Sequence, residues 1–394
     1  MAVPFLDLKL QYHALRAELD QAIARVVGSQ RFILGPEVQS LEEEMAQYLG
    51  VPFAVGVASG TDALLLPLKA LEPEPGDEVI VPAFTFFATA GAAWNSGFTP
   101  VFCDVDESTF NVTAGSIAAA WTDRTRAVIP VHLFGQMAPM AEIRALARSK
   151  GAFVLEDAAQ AIGARQGFPA ATLTEDPAGM PSLSLTEGVA AGGWAMAGTL
   201  GDAGAFSFFP TKNLGGFGDG GLVVTADEAL AEIVAKLRVH GGRQMYSHEM
   251  VGTNSRLDAL QAAVLRVKLP HLERWAEARR RHALLYDEIF SDLPGVSIPS
   301  VASNNVHVYN QYTLRVDRRD ELREYLGQGG IGSGLYYPKG LHLQECFAPL
   351  GGKEGDLPVT EQLTGEVVSL PIFPELNESQ ITEVGRAIRE FYTA

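Results

Sequence analysis

The chain has 394 residues, 47 % of them hydrophobic and 20 % charged, the balance of an ordinary globular protein and, at this length, of two to three domains. Its 30 Lys and Arg stand against 47 Asp and Glu, a net charge of −17. An acidic surface repels phosphate backbones, which argues against nucleic-acid binding and means that an anionic substrate needs a local positive site.

From the N-terminus, MAVPFLDLKLQYHALRAEL interleaves acids and bases and lacks the apolar core of a signal peptide. Short apolar runs then alternate with amphipathic stretches. FAVGVA (53–58) precedes a helix-like DALLLPLKAL, and EVIVP (78–82) precedes ATAGAAWNSG and then PVFCDV (100–105). RAVIPVH (126–132) precedes APMAEIRALARSKG and then AFVLED (152–157). Continuous apolar strands separated by helices predict a mainly parallel sheet covered on both faces, a large three-layer α/β domain over residues 1–253. One stretch breaks the pattern. From Gln166 to Thr211 there is no Lys or Arg, and the part at about 166–198, rich in Ala, Gly, Pro and Ser, reads as a long loop or a β-hairpin excursion. Its length and its place before the AFSFF strand suggest a flap at the site mouth or at a dimer edge. From Arg256 to about Phe290 the chain predicts one long charged helix interrupted at Pro270. A strand-like VYNQYTLRV (308–316), a short helix in RRDELREYLGQGG and a terminal helix from about Glu378 complete a smaller C-terminal α/β domain over residues 254–394. No window reaches the roughly 18 apolar residues of a membrane span, so the expectation is a cytoplasmic protein, in which the sequons at Asn111 and Asn377 are chance matches. Cys103 and Cys346 are too few for a disulfide framework or a four-cysteine zinc site, and Cys103, inside PVFCDV, reads as a small buried thiol.

Four segments bear on chemistry. Lys212 lies between the strand-like AFSFF and a run of glycines. It reads either as a carbonyl-reactive amine or as a solvated loop lysine. Gly216, Gly218 and Gly221 fit the spacing of a dinucleotide fingerprint, but GLVVT follows where a helix is required, so that reading fails. Asp157 ends a buried strand, where it can hold a proton on a ligand's ring nitrogen or cap the next helix, and Gln160 could face the same side. Ser59-Gly60-Thr61 between strand and helix offers free N–H groups to a phosphate, or is an ordinary cap. Phe84, Phe86 and Phe87 follow a strand, where one could stack on a planar ring or all could be core. Together a phosphate cradle, a ring-stacking aromatic, a carboxylate for a ring nitrogen and a reactive lysine are what pyridoxal phosphate needs.

The strings ASGTDAL, PAFTFFAT, EDAAQAIGA, GDAGAFSFFPTKNLGGFGDGG and GTNSRLDALQAAVL, with DLPVTEQL and VVSLPIFPEL near the C-terminus, resemble the sugar aminotransferases of the DegT/DnrJ/EryC1/StrS family over about residues 3–390, the excursion excepted. The resemblance implies a fold-type-I pyridoxal-phosphate enzyme, with Lys212 at the Schiff-base position and as the proton shuttle. It places Asp157 on the pyridinium nitrogen and Gln160 beside the cofactor's phenolic oxygen. Phe86 is implied to stack on the ring, and Gly60, Thr61 and Ser207 to hold the phosphate. Asn254 is implied to reach across a homodimer interface to the partner's cofactor phosphate, giving composite sites.

A related branch of the family removes a sugar hydroxyl and carries His in place of the lysine, so Lys212 implies transamination, from glutamate to a keto-sugar linked to a nucleotide. GTNSRLD with Tyr246 and His248 resembles enzymes acting at the 3-keto position. Arg243, Arg256, Tyr312, Tyr336 and His342 are further candidates for a diphosphate or carboxylates, while His307 and the scattered histidines form no metal-spaced set. Two other readings stand beside the first: an aminotransferase for a keto-cyclitol or other non-nucleotide substrate, and a cofactor-binding regulatory protein without catalysis.

Overall fold

The structure, a computed structural model, describes residues 2–168, 193–244 and 246–393. Residues 169–192 of the excursion, and with them the flap reading, lie outside the described residues. Two helices come first, α1 (Leu8–Ser29), whose first turn Asp7 caps by accepting from the Lys9 N–H, and α2 (Pro36–Leu49), which ends at Gly50 in a left-handed conformation.

There follow β1 (Phe53–Val57), α3 (Gly60–Ala70), β2 (Glu78–Pro82), α4 (Phe87–Ser96), β3 (Thr99–Cys103), α5 (Ala114–Ala119) and β4 (Thr125–Val128). Next are α6 (Met140–Ser149), β5 (Phe153–Asp157), β6 (Arg165–Gly167), β7 (Trp194–Met196), β8 (Ala203–Ser207), β9 (Gly221–Thr225) and α7 (Glu228–Leu237). Among the described residues the central sheet has seven strands in the order β1-β9-β8-β5-β4-β2-β3. Only β9 runs against its neighbours; the pairings from β8 through to β3 are parallel.

Strand periodicity explains the two layers over this sheet. Val79, Val81, Ala127, Ile129, Leu155, Ala203 and Ala205 point into one core, where Leu64, Leu66, Ala90, Ala93 and Val234 from α3, α4 and α7 cover them. Ile80, Val128, Val154, Phe206 and Leu222, one residue out of phase, point into the other, covered by Val38, Leu41 and Met45 of α2 and Ile143 of α6. Both faces are apolar because both are covered. Cys103 is one of these buried residues, and burial pushes its thiol up.

The long helical stretch forms as α8 (Ala259–Lys268), a 3-10 turn over Leu269–His271 and α9 (Leu272–Phe290), the break falling at Pro270. The helix α1 packs along α8 through Leu15, Leu19 and Val264, and through Ala22, Val26 and Ala263. The chain closes with β10 (Val296–Ser297), β11 (Asn305–Val306), β12 (Tyr312–Val316), α10 (Arg319–Gln328), α11 (Pro358–Glu366), β13 (Val367–Leu370) and α12 (Glu378–Thr393). A small antiparallel sheet, β10-β12-β13, carries a separate core of Tyr286, Phe290, Leu314, Leu326, Val368 and Ile388. Val3, from the other end of the chain, is buried in the same core and bridges Ile331. The strand-like stretch 308–316 is strand only from Tyr312, because Val308 instead donates to the Gly135 carbonyl of the large sheet's layer.

The excursion leaves and returns through an antiparallel stem, β6 with β7, and β11 adds to its other edge. The return segment is locked to the sheet by Glu156, fully buried on the opposite face of β5 from Asp157. It accepts the N–H groups of Gly198 (2.9 Å), Leu200 (2.6 Å) and Gly201, and a hydrogen bond from His132 Nε2 (2.7 Å). The His132 tautomer follows from its other nitrogen, Nδ1, which accepts from the Ala138 N–H (3.1 Å). Burial alone would push the Glu156 carboxyl up, but these donors outweigh it and hold it below the usual carboxylate range. Among the described residues no helix is long and apolar enough to cross a membrane.

Replacing Glu156 with Ala strands three N–H groups and a histidine, so Glu156→Ala is expected to cost about 3–5 kcal/mol in urea unfolding at neutral pH. Because the native carboxyl titrates below its unfolded value, this gap should be full above the unfolded value and close as pH falls through the folded one.

Candidate active site

The strands β1, β2, β5 and β8 run the same way, so the loops at their carboxyl ends lie along one edge of the sheet. After β1, Ser59 caps α3 by accepting from the Asp62 N–H (3.1 Å), leaving the N–H groups of half-buried Gly60 and exposed Thr61 outside the helix ladder. Ser255 braces this turn, accepting from the Ala58 N–H (3.3 Å) and donating to Asp62 Oδ2 (2.8 Å). The start of α3 lies against the end of β8. A Cβ added to Gly60 would stand 2.6 Å from the Ser207 Cβ and 2.9 Å from its hydroxyl, so only glycine fits there. The free N–H groups at the start of α3 therefore lie beside the Ser207 hydroxyl.

Asp157 is buried at the end of β5. Thr89 Oγ1 donates to its Oδ2 (2.8 Å) and the Ala159 N–H to its Oδ1 (3.2 Å). Burial raises the carboxyl, against these two bonds and the attraction of Lys212, which lower it. Lys212 is half-buried in the loop after β8; burial pulls its ammonium down from 10.5 to about 8, against the attraction of Asp157. Among the described residues its Nζ meets no hydrogen-bond partner, so the amine is unengaged and partly neutral near physiological pH.

Gln160 accepts the Phe134 N–H (2.6 Å) through Oε1 and donates to the Tyr337 hydroxyl (3.2 Å). Phe86, at the N-cap of α4, is 58 % exposed, with its ring centroid 6.3 Å from that of Tyr337. Phe84 is core, and Phe87 stacks on Phe347 away from this edge. Tyr337 arrives from the C-terminal region because Gly334 bridges Ser369 of the small sheet while the Leu341 N–H donates to the Ala83 carbonyl beyond β2. Asn254 is exposed and bridged to Val239; its neighbour Ser255 is the residue that reaches α3.

The structure thus brings Gly60, Thr61, Phe86, Asp157, Gln160, Ser207 and Lys212 to one edge. It takes others away. Tyr312 is in the small-sheet core, donating to Asp287 (2.7 Å), and His342 is buried beside Glu361 (3.1 Å). Arg243 pairs with Glu232 at the surface, and Tyr336 rests against Phe5. Arg256 is half-buried, with its Nε unpartnered. His307 Nδ1 accepts from the Tyr309 N–H, and burial takes that ring down to about 3, so it is a neutral packing residue. Tyr246, 90 % exposed, and His248 sit on a projecting turn. Thr89 and Tyr337 were not legible as site residues. The one signal for Thr89 is its helical spacing from Thr85, whose hydroxyl it meets at 3.1 Å.

The family model for the DegT/DnrJ/EryC1/StrS aminotransferase family matches residues 13–389. The chain belongs to this family. It is 46 % identical, over all of its own length and 99 % of the relative's, to a "pleiotropic regulatory protein" of Geobacillus stearothermophilus. It is 44 % identical, over 98 % of its length and 97 % of the relative's, to a UDP-N-acetyl-3-dehydro-alpha-D-glucosamine 3-aminotransferase of Acidithiobacillus ferrooxidans. Its fold matches the crystal structure of S. venezuelae DesV in complex with a ketimine intermediate, at a TM-score of 0.91 and 44 % identity, covering 100 % of this chain and 99 % of that one. The fold class read from the sequence is therefore that of the family's solved members.

In this DegT-family site, Gly60→Ala is expected to lose about 1–3 kcal/mol in urea unfolding, because its Cβ meets Ser207 rather than solvent. Adding Ser207→Gly should return at least about 0.5 kcal/mol of that loss, a coupling that two independent sites would not show. Acetylation of Lys212 with acetic anhydride, followed by mass spectrometry across pH, should show a midpoint at about 8 rather than the ordinary 10.5.

Proposed function

We propose that this chain is a pyridoxal-phosphate aminotransferase that moves an amino group from glutamate to a keto-sugar nucleotide, at the 3-keto position. The observation that carries this reading is the unengaged amine of Lys212, depressed to about 8, opposite buried Asp157 on the same sheet edge. The residues fit the cofactor: a cradle at Gly60 that a Cβ would fill, hydroxyl and N–H donors around it, and a buried carboxylate with free lone pairs. Gly60, Thr61 and Ser207 would hold its phosphate, Phe86 would lie on its ring, and Gln160 would meet its phenolic oxygen. Asn254 would contribute across a homodimer interface.

Bound there, the cofactor supplies a carbonyl that a donor amine can condense with and a ring that accepts electrons. Asp157 would keep a proton on the ring nitrogen, and the bonds from Thr89 to its Oδ2 and from the Ala159 N–H to its Oδ1 hold the carboxylate in place for that role. Lys212, with its titration near 8, can take and return a proton within the pH range of the cell, which a lysine at 10.5 does poorly. The 3-keto position is supported by the name of the 44 % identical relative, a UDP-N-acetyl-3-dehydro-alpha-D-glucosamine 3-aminotransferase.

A second reading, a cofactor-binding regulatory protein, is favoured by the name of the 46 % identical relative. Turnover separates the two. Protein saturated with pyridoxal phosphate should show a visible absorbance band that glutamate bleaches. With a 3-keto sugar nucleotide present it should release the amino sugar, faster than with 4-keto sugar nucleotides or keto-cyclitols. Lys212→Ala should slow that release by roughly 10²–10⁴-fold. Bleaching without an amino-sugar product from any keto acceptor, or full turnover in Lys212→Ala, would overturn the proposal.

A further inference from the structure

The loop that carries Lys212 closes on itself. The Phe208 N–H donates to the Gly220 carbonyl (2.8 Å), the Gly216 N–H to the Phe208 carbonyl (2.8 Å), and the Lys212 N–H to the Phe209 carbonyl (2.9 Å). Gly215 passes so close to the chain behind it that a Cβ would stand 2.3 Å from the Pro210 carbonyl oxygen. These bonds tie the loop back on itself as far as the Gly216 N–H and leave the Gly215 carbonyl and the Phe217 N–H to be held from elsewhere.

Helix α8 holds it. Lys268, the last residue of α8, is 3 % exposed, and its Nζ donates to the Gly215 carbonyl (2.7 Å) while standing 4.9 Å from the centroid of the Phe217 ring. Gln261, two helical turns earlier on the same face, accepts the Phe217 N–H through Oε1 (2.7 Å). The same oxygen occupies the space a side chain at Gly216 would need (2.8 Å from its Cβ). Asn213, next to Lys212, donates through Nδ2 to the Val308 carbonyl (3.1 Å).

A buried ammonium is expensive, and among the described residues Lys268 has no carboxylate within ion-pair distance. A leucine would fill the same volume at lower cost. What an ammonium adds is a directed bond that fixes where the Gly215 carbonyl points, and Gln261 does the same for the next peptide through the Phe217 N–H.

We propose that Lys268 and Gln261 are positioning residues, which clamp the loop of residues 212–218 so that the Lys212 amine stays desolvated on the Asp157 side of the site. The proposal rests on the reading of Lys212 as the reactive amine, but its test does not use turnover.

The test is the pH profile of Lys212 acetylation, read by mass spectrometry on the full chain after hydroxylamine has removed any carbonyl compound from its lysines. Lys268→Met and Gln261→Leu, each checked for a cooperative thermal melt, should move the midpoint up by about one pH unit toward the ordinary lysine value, as water reaches the amine. Lys268→Arg, which keeps the charge and a donor, should stay near the wild-type midpoint. Wild-type midpoints in both folded variants would overturn the proposal. So would a rise in Lys268→Met alone, which would reduce the effect to a lost charge. Should Lys268→Met fail to fold, Gln261→Leu decides. Full turnover in Lys212→Ala would defeat the functional reading of the site, whichever way these midpoints fall.

Discussion

Burial at one edge of the central sheet pushes two opposite charges toward neutrality at once. Asp157 is raised and Lys212 lowered by the same loss of solvent, and each is drawn back by the other's charge. Neither group could be held there alone at modest cost, since an isolated buried charge would neutralise. Facing each other they keep their charges in part, and the amine of Lys212, drawn down to about 8, can change protonation near neutral pH.

Much of the surrounding structure serves that opposition. The strands β5 and β8 are parallel neighbours, with Asp157 in register with Ala205, so the carboxylate and the loop of Lys212 leave the sheet side by side. On the reverse face of β5, Glu156 binds the segment returning from the excursion, which fixes the start of β8 without touching the site. From above, the small sheet delivers Tyr337 to Gln160, so the C-terminal region closes over an edge it does not build.

The three-layer domain was legible because its evidence is local: apolar runs with period two and both phases buried, followed by helices with capping residues. Asp157 and Lys212 were legible for the same reason, each marking the end or sequel of such a run. Residues set by tertiary approach were not. Thr89 sits in an Ala-rich helix and looks like a propensity choice until Asp157 comes within 2.8 Å. Tyr312 was a candidate and Tyr337 was not; the alternation of β12 sends the first into the small core, and the segment between two anchoring backbone bonds sends the second to the site. Val3 joins the C-terminal core from a stretch with no periodic pattern, and a division by sequence at residue 254 cannot show it. Gln261 and Lys268 read as part of an amphipathic helix, and only the closeness of the glycine loop distinguishes them.

The acidic surplus of the chain bears on how such a site can take an anion. With a net charge of −17, the protein's long-range field opposes an approaching phosphate or nucleotide. The two lysines around the Lys212 loop add less than full charge above pH 8, because both are drawn down to about 8. Phosphate attraction at this edge must then rest on the first N–H groups of α3 and on hydroxyls, whose partial charges do not titrate and act only at contact. Such a cradle needs close approach rather than a strong field. Glycine at position 60 permits that approach: it brings the helix terminus against Ser207, so donors from two strand ends lie side by side. In the proposed function, close packing of backbone would thus supply a local positive site that does not depend on titrating side chains.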